Sequence, residues 1–349
     1  MRQYGLPYKG SKSAIAEWVC AVLPRGERLC DLFAGGCAVT HCAMLAGKWG
    51  RFLAADISDA PQLFLDAVRG RYRGESRWIS RDDFLRLKDS DPCVRLCWSF
   101  GNNCEGYMYS REIEPCKRAV HYAVVLDDWR EMRRLCPEVS DAAETALRGV
   151  ADRTARRVRF GRAVVLRLRE LGDARLLANP LYRSCHFSGG KRDIQSLERL
   201  QSLQSLESLQ SLERLQSLES LESLESLESL ESLERLEVAR QSYADYRHEA
   251  GDVVYCDPPY ITPTSGAKQY GVAFDREAFL EWARTRDYPV YISEYSMPPD
   301  FVPVAQRRKI NSLCSARSYM VTEFVFLYER WAREVEKHNI AEQMEFDFA

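Results

Sequence analysis

Leucine occupies every third position from Leu197 to Leu236, in a tract built almost wholly of Gln, Ser, Leu, Glu and Arg. On an α-helix each three-residue step turns about 300°, so successive leucines drift about 60° and spread over the whole surface instead of forming one stripe. The tract is therefore neither a heptad coiled coil nor an ordinary amphipathic helix. A 3₁₀-helix rarely exceeds a turn or so, and a leucine-rich solenoid needs about twenty residues per unit. The helix-favouring composition predicts a mainly helical, partly frayed insertion, and a low-complexity spacer without chemistry is its simplest role. The fold then rests on the residues either side.

There the chain changes character. Residues 28–34, 51–57, 94–100, 252–256 and 289–293 are short apolar runs rich in β-branched or aromatic residues, as buried parallel strands are. Helical patterns over Ser13–Leu23, Ala60–Arg69 and Asp275–Arg284 lie between them, and this alternation predicts a doubly wound α/β sheet. Residues from about 105 to 180 are instead helix-rich and basic, forming a second domain placed inside the first. The expected divisions are 1–95, 96–194, the repeat at 195–237, 238–335 and a tail at 336–349.

The net charge of −2 conceals segregation. Gln195–Glu237 holds ten Glu against three Arg, a net of −7 that leaves +5 on the remainder. Between Ala146 and Arg183 ten Arg face three acids, which makes a patch suited to a polyanion. Arg148, Arg153, Arg156, Arg157, Arg159 and Arg162 are the candidate contacts to DNA phosphates and base edges; the competing reading is a solvated helix face. Twelve cysteines are scattered through a large chain, a pattern of packed, reduced thiols more than of a disulfide framework. Cys93, Cys97, Cys104 and Cys116 contain no CxxC pair and match no familiar zinc spacing, so no metal is expected. The start carries no signal-peptide pattern and no window reads as a membrane span, which predicts a soluble protein of the cytoplasm.

The chemistry concentrates in VVYCDPPYITP, where Asp257, Pro258, Pro259 and Tyr260 follow an apolar strand. Loops beyond strand carboxyl ends are where open α/β sheets bind ligands. Two successive prolines hold a rigid extended turn with no N–H from either residue, so an acid, a bare carbonyl and an aromatic ring share one small cup. Asp257 and the Pro258 carbonyl can accept two N–H bonds from a planar amine while Tyr260 stacks on its face. Adenine is such a group. Upstream, CDLFAGGCAV runs from a strand into a Gly35-Gly36 turn that permits close backbone approach, and about twenty residues on, a second strand ends in Asp56, placed to accept ribose hydroxyls. GxGxxG is absent, which disfavours a dinucleotide.

Together these motifs resemble the N6-adenine DNA methyltransferases of the DNA adenine methylase type, in the α-group order. The resemblance covers about residues 1–100 and 250–330 and is most specific at DPPY. It implies a Rossmann-like S-adenosylmethionine-dependent methyltransferase sheet with an inserted, mainly helical recognition domain. YKGSK resembles the N-terminal cofactor motif, with Tyr8 and with Lys12 meeting the cofactor carboxylate. DLFAGG resembles the main cofactor loop, which assigns Asp31, Phe33, Ala34, Gly35 and Gly36 to S-adenosylmethionine. Asp56 matches the ribose acid, and Asp83-Phe84 resembles the pair beside the cofactor adenine. SEYSMP and INSLCSARSYMVTEFVFLYE resemble the late strand and hairpin. Cys37 stands where the family usually has the last glycine of FxGxG, a departure that bears on how closely the loop clasps the methionine end.

The implied activity is methyl transfer to adenine N6 in a specific double-stranded DNA sequence, with the base flipped out of the duplex. N4-cytosine or RNA adenine methylation, and a non-catalytic DNA-binding scaffold, are the alternatives. No endonuclease signature accompanies the motifs, which fits a solitary or phage-borne modification enzyme more than a restriction-modification pair, in a bacterial or phage-infected cell. The C-terminal EQMEFDF, with Gln343, Met344 and Phe346 to Phe348, resembles sliding-clamp-binding peptides and implies a clamp as partner. Asn102 and Asn103 read as turn residues, and His41, His121 and His186 as packing residues.

Overall fold

The computed structural model describes residues 4–6, 10–72, 74–100, 104–171, 233–260, 268–269, 272–311 and 319–335. In chain order the elements are α1 (Ala16–Val22), β1 (Arg28–Asp31), α2 (Ala38–Ala46), β2 (Arg51–Asp56), α3 (Ala60–Val68), α4 (Arg81–Leu87), α5 (Pro92–Cys97), α6 (Glu114–Val125), α7 (Arg130–Leu135), α8 (Pro137–Leu147) and α9 (Arg153–Glu170). There follow β3 (Leu236–Arg240), β4 (Asp252–Cys256), the two-residue pair β5 (Lys268–Gln269) and β6 (Val272–Ala273), α10 (Arg276–Arg284), β7 (Val290–Glu294), β8 (Phe301–Asn311) and β9 (Tyr319–Tyr328). The chain divides into two compact units, Met1–Arg71 with Leu224–Ala349, and Tyr72–Ser223.

The first unit holds a seven-stranded sheet in the order β3-β2-β1-β4-β7-β9-β8. The first five strands are mutually parallel, β9 runs antiparallel to β7, and β8 antiparallel to β9. This mixed α/β sheet fits a methyltransferase-like fold. Parallel neighbours need crossovers, and α2 and α10 stand in the chain between β1 and β2 and between β4 and β7. Asp275 starts α10 by accepting the Ala278 N–H at 3.0 Å, a side-chain cap for an otherwise orphaned donor. Phe279, Leu280 and Ala283 of that helix pack with Leu32, Leu53, Val254, Cys256 and Ile292, each large side chain contributing about 1.5–3 kcal/mol by burial. All five parallel strands present their carboxyl ends to one edge of the sheet.

Two sequence expectations are corrected here. Residues 94–100 do not form a strand: Pro92–Cys97 is α5, because Asp91 accepts the N–H groups of Cys93 and Val94 and Pro92 occupies the first turn, a helix start that outweighs the apolar run. The leucine period also does not continue as insertion to its end, since Leu236 begins β3 and pairs with Phe52 of β2. The rest of the repeat up to Ser232 lies outside the described residues.

The second unit is helical where described. Its core joins Ala119, Val120 and Val124 of α6, Met132 of α7, Val139 and Leu147 of α8, and Phe160, Val164 and Leu168 of α9. Among the described residues no helix is long and apolar enough to cross a membrane, and no His, Cys, Asp or Glu cluster is arranged to hold a metal ion.

Candidate functional site

At the carboxyl end of β1 the chain continues beside its neighbours, Leu32 N–H bonding Tyr255 O at 3.0 Å and Ala34 N–H bonding Ala55 O at 3.0 Å. It then bends through Gly35, at φ +46°, and Cys37, at φ +60°. Left-handed backbone is costly for a residue with a Cβ, so Cys37 stands where glycine is the natural choice. Gly35 N–H donates to Asp56 Oδ2 at 2.9 Å and Ser58 N–H to Asp56 Oδ1 at 2.8 Å. Asp56, half-buried at the end of β2, is thus held rigidly by the loop it faces.

The N-terminal segment lies on this bend. Leu6 N–H donates to Gly36 O at 2.7 Å and Gly5 N–H to His41 Nδ1 at 2.9 Å. A Cβ on Gly5 would sit 2.3 Å from Gly36 O, so only glycine permits the approach. The buried His41 therefore accepts a backbone bond that secures the strap. Tyr8 lies outside the described residues.

Asp31, the last residue of β1, is 2 % exposed. Thr40 Oγ1 donates to its Oδ2 at 2.9 Å, while its buried Oδ1 has no hydrogen-bond partner among the described residues. Burial raises its pKa to about 7, against the opposing pull of the Thr40 bond. A buried carboxyl oxygen without a donor is costly and suits a cationic N–H group. Phe33 is engaged in an aromatic cluster, stacked on Tyr243 with centroids 5.4 Å apart and edge-on to Phe274 and Phe279. Ala34 and Gly36 are buried beside it.

One strand over, Asp257-Pro258-Pro259-Tyr260 follows β4 directly, and β4 pairs with β1 through Tyr255 and Asp31. Asp257 keeps 17 % of its side chain exposed, and Lys12 Nζ stands 2.7 Å from its Oδ1. The same ammonium lies 3.5 Å from Glu323 Oε1 and 4.3 Å from the centre of the Tyr260 ring. Tyr260 OH donates to Glu323 Oε1, and its ring meets Tyr295 edge-on at 4.7 Å. Burial works against the charge on Lys12, but Asp257 and Glu323 outweigh it and hold its pKa above the ordinary lysine value. Burial, with Asp257 and Glu323 nearby, drives the Tyr260 phenol well upward. At the end of β7, Glu294 is 5 % exposed and accepts the Tyr295 N–H at 2.7 Å; burial raises its pKa to about 7.

Five neighbouring strands, β2, β1, β4, β7 and β9, therefore place Asp56, Asp31, Asp257, Glu294 and Glu323 along one side of the sheet. Lys12 was expected at a cofactor carboxylate, yet here it bridges two of the protein's own. Glu323 and Glu294 were not singled out from sequence. Each sits inside a hydrophobic strand run, and only the antiparallel pairing of β7 with β9, Glu294 opposite Phe324, brings the two strand ends together.

Asp83 and Phe84 fall in the second unit. Ser80 Oγ accepts the Asp83 N–H at 3.1 Å and donates to Asp83 Oδ2 at 2.7 Å, closing a cap on α4, and Phe84 is fully buried against Tyr107. Of the arginines, Arg156 is built into that unit: it donates to Val124 O at 2.6 Å, Val150 O and Ala123 O at 3.1 Å, and Asp127 Oδ1 at 2.7 Å. The bonds to Ala123 O and Val124 O cap the last turn of α6. Arg153 donates to Glu75 O at 2.8 Å, Arg157 is half-buried, and Arg148, Arg159 and Arg162 are exposed. Asn102, Asn103, His186 and the C-terminal tail lie outside the described residues.

Residues 8–66 match the family model for the D12 class N6 adenine-specific DNA methyltransferase. The matched segment contains Lys12, the Gly35-Gly36 bend and Asp56, and ends before the DPPY motif. It supports an adenine DNA methyltransferase family and indicates that activity. No curated protein matches the chain.

Proposed function

We propose that the protein transfers a methyl group from S-adenosylmethionine to N6 of an adenine extruded from a specific double-stranded DNA sequence. The observation that carries the reading is the adjacency of two motifs on one sheet edge. The Asp257-Tyr260 corner leaves β4 beside β1, whose own end opens into the glycine bend held by Asp56.

The residues present fit the cofactor. Asp31 Oδ1, buried without a donor, suits an amino group, and Asp56 is fixed by two backbone bonds for ribose hydroxyls. The edge is rich in carboxylates, as a cationic ligand requires. When bound, S-adenosylmethionine supplies an electrophilic methyl on a sulfonium.

Asp257 and the Pro258 carbonyl accept the two N–H bonds of the extruded adenine, which favours a more tetrahedral N6 with an available lone pair. Tyr260 stacks on the base at about 1–3 kcal/mol, offsetting part of the few kcal/mol that flipping costs. The Asp257 carboxylate stabilises the positive charge that develops on N6 as its bond to the methyl forms and the methyl–sulfur bond breaks; the surplus N6 proton then leaves by way of Asp257 to water, and rigid placement of the acceptor contributes further by orientation. Lys12, 2.7 Å from Asp257 Oδ1, holds that carboxylate in place. Arg148, Arg159 and Arg162 contact the phosphate backbone.

The test is transfer of labelled methyl from S-adenosylmethionine to duplex DNA, with mass spectrometry of the released nucleosides. N6-methyladenine supports the reading, while N4-methylcytosine, label in RNA alone, or no transfer rejects it.

A further inference from the structure

The motif reading leaves two buried acids at this edge, Glu294 and Glu323, without a task. Glu323, on β9, is wholly buried, and an ionised carboxylate is costly there unless charge and hydrogen bonds compensate. The groups around it are ones the proposed reaction needs. Its Oε1 accepts the Tyr260 hydroxyl and lies 3.5 Å from Lys12 Nζ. Lys12 in turn holds Asp257 at 2.7 Å and lies over the Tyr260 ring.

Resting on the methyl-transfer reading, we infer that Glu323 is a positioning residue for the reaction: one carboxylate that fixes both the stacking ring of Tyr260 and the Lys12 ammonium that aligns Asp257. The Tyr260 ring makes a T-shaped contact with Tyr295 and has the Lys12 ammonium 4.3 Å from its centre, but neither contact sets its rotation in plane. The hydroxyl bond to Glu323 does. Likewise Asp257 alone could draw Lys12 out of line, and the second carboxylate fixes the ammonium between two strands. Residues far apart in sequence are thereby coupled through one acid that touches neither base nor cofactor.

Glu323→Gln keeps an acceptor for the tyrosine hydroxyl and removes the charge beside the lysine. Expected are a fall in kcat on the order of ten- to a hundredfold and a Kd for S-adenosylmethionine within about twofold of wild type. Besides Glu323, the titratable groups facing Lys12 are Asp257, Tyr260, Tyr295 and Glu294. Losing one anion at this range lets the lysine deprotonate earlier, so the alkaline limb of the kcat profile begins about one pH unit lower. The nitrogen-15 resonance of Lys12 in the cofactor-free protein titrates lower by the same amount.

Tyr260→Phe, which keeps the ring and loses only the hydroxyl, guards against misfolding of the glutamine variant. It too lowers kcat, and combining the two substitutions costs less than the sum of their separate effects. An active wild type whose E323Q variant keeps its rate, pH profile and lysine titration, or strict additivity with Tyr260→Phe, overturns the inference and leaves the functional reading standing. A wild type that transfers no methyl to DNA overturns that reading, and the inference falls with it.

Discussion

Lys12 Nζ and Asp257 Oδ1 lie 2.7 Å apart, joining the N-terminal segment to the corner that follows β4. The lysine is 6 % exposed and faces Glu323 as well. A buried cation shared by two carboxylates makes the acidic edge of the sheet tolerable before any ligand arrives.

Lys12→Ala leaves Asp257 and Glu323 together without their cation. Removing one partner of a buried pair costs about 3–5 kcal/mol, so thermal or urea unfolding should show a loss of that order. In the wild type the folded pKa of Lys12 is raised. Its stabilisation is therefore full below the ordinary lysine value and disappears as pH climbs through the folded value.

Asp56→Ala removes the acceptor for the N–H groups of Gly35 and Ser58 and the proposed ribose contact. Hydrogen bonds to a charged group contribute about 1.5–3 kcal/mol. Calorimetry should register S-adenosylmethionine binding weakened roughly ten- to a hundredfold.

Asp31 holds its proton to about pH 7 because of burial. The folded chain binds that proton more tightly than the unfolded chain does, so this residue's contribution to stability declines as pH rises from the ordinary carboxylate range toward 7. An ammonium ligand reverses the preference. Affinity for S-adenosylmethionine should accordingly increase as pH rises through about 7, with proton release on binding, and Asp31→Asn should flatten both trends. Affinity that is level across this interval contradicts the assignment.

Arg156 and its helical neighbours Arg159 and Arg162 separate structural from surface charge. Arg156→Ala strands the carbonyls of Ala123, Val124 and Val150 and should cost about 2–3 kcal/mol of stability. Arg159→Ala and Arg162→Ala should stay within about 0.5 kcal/mol of wild type. Each should instead reduce the slope of log affinity for DNA against log salt by about 0.9.

Much of the sheet was legible because β1, β2, β4 and β7 are short buried runs whose burial is written in their composition. α5 was misread because VRLCWSF is equally apolar, and the deciding information was the Asp91-Pro92 start just upstream. β3 was hidden because Leu236 continues the leucine period, and its strand character comes from pairing with Phe52. β8 escaped notice because Pro303 interrupts its short apolar start, whose Val302 and Val304 are exposed, and the exposed polar Gln306, Arg307 and Arg308 follow. At the site, Asp257, Asp56 and the glycine bend announce themselves by position after strands. Glu323 does not, because its meaning depends on Lys12 and Tyr260, which only the folded sheet brings beside it. Nor could composition tell Arg156 from Arg159, since the difference lies in which carbonyls the end of α6 exposes.

The most direct test of the account pairs wild type with Asp257→Ala on a duplex of defined sequence, following label from S-adenosylmethionine into N6-methyladenine while calorimetry monitors cofactor binding. The account predicts transfer by the wild type, none by the variant, and cofactor affinity nearly unchanged. Methyl transfer to adenine that survives loss of the Asp257 carboxylate would contradict it.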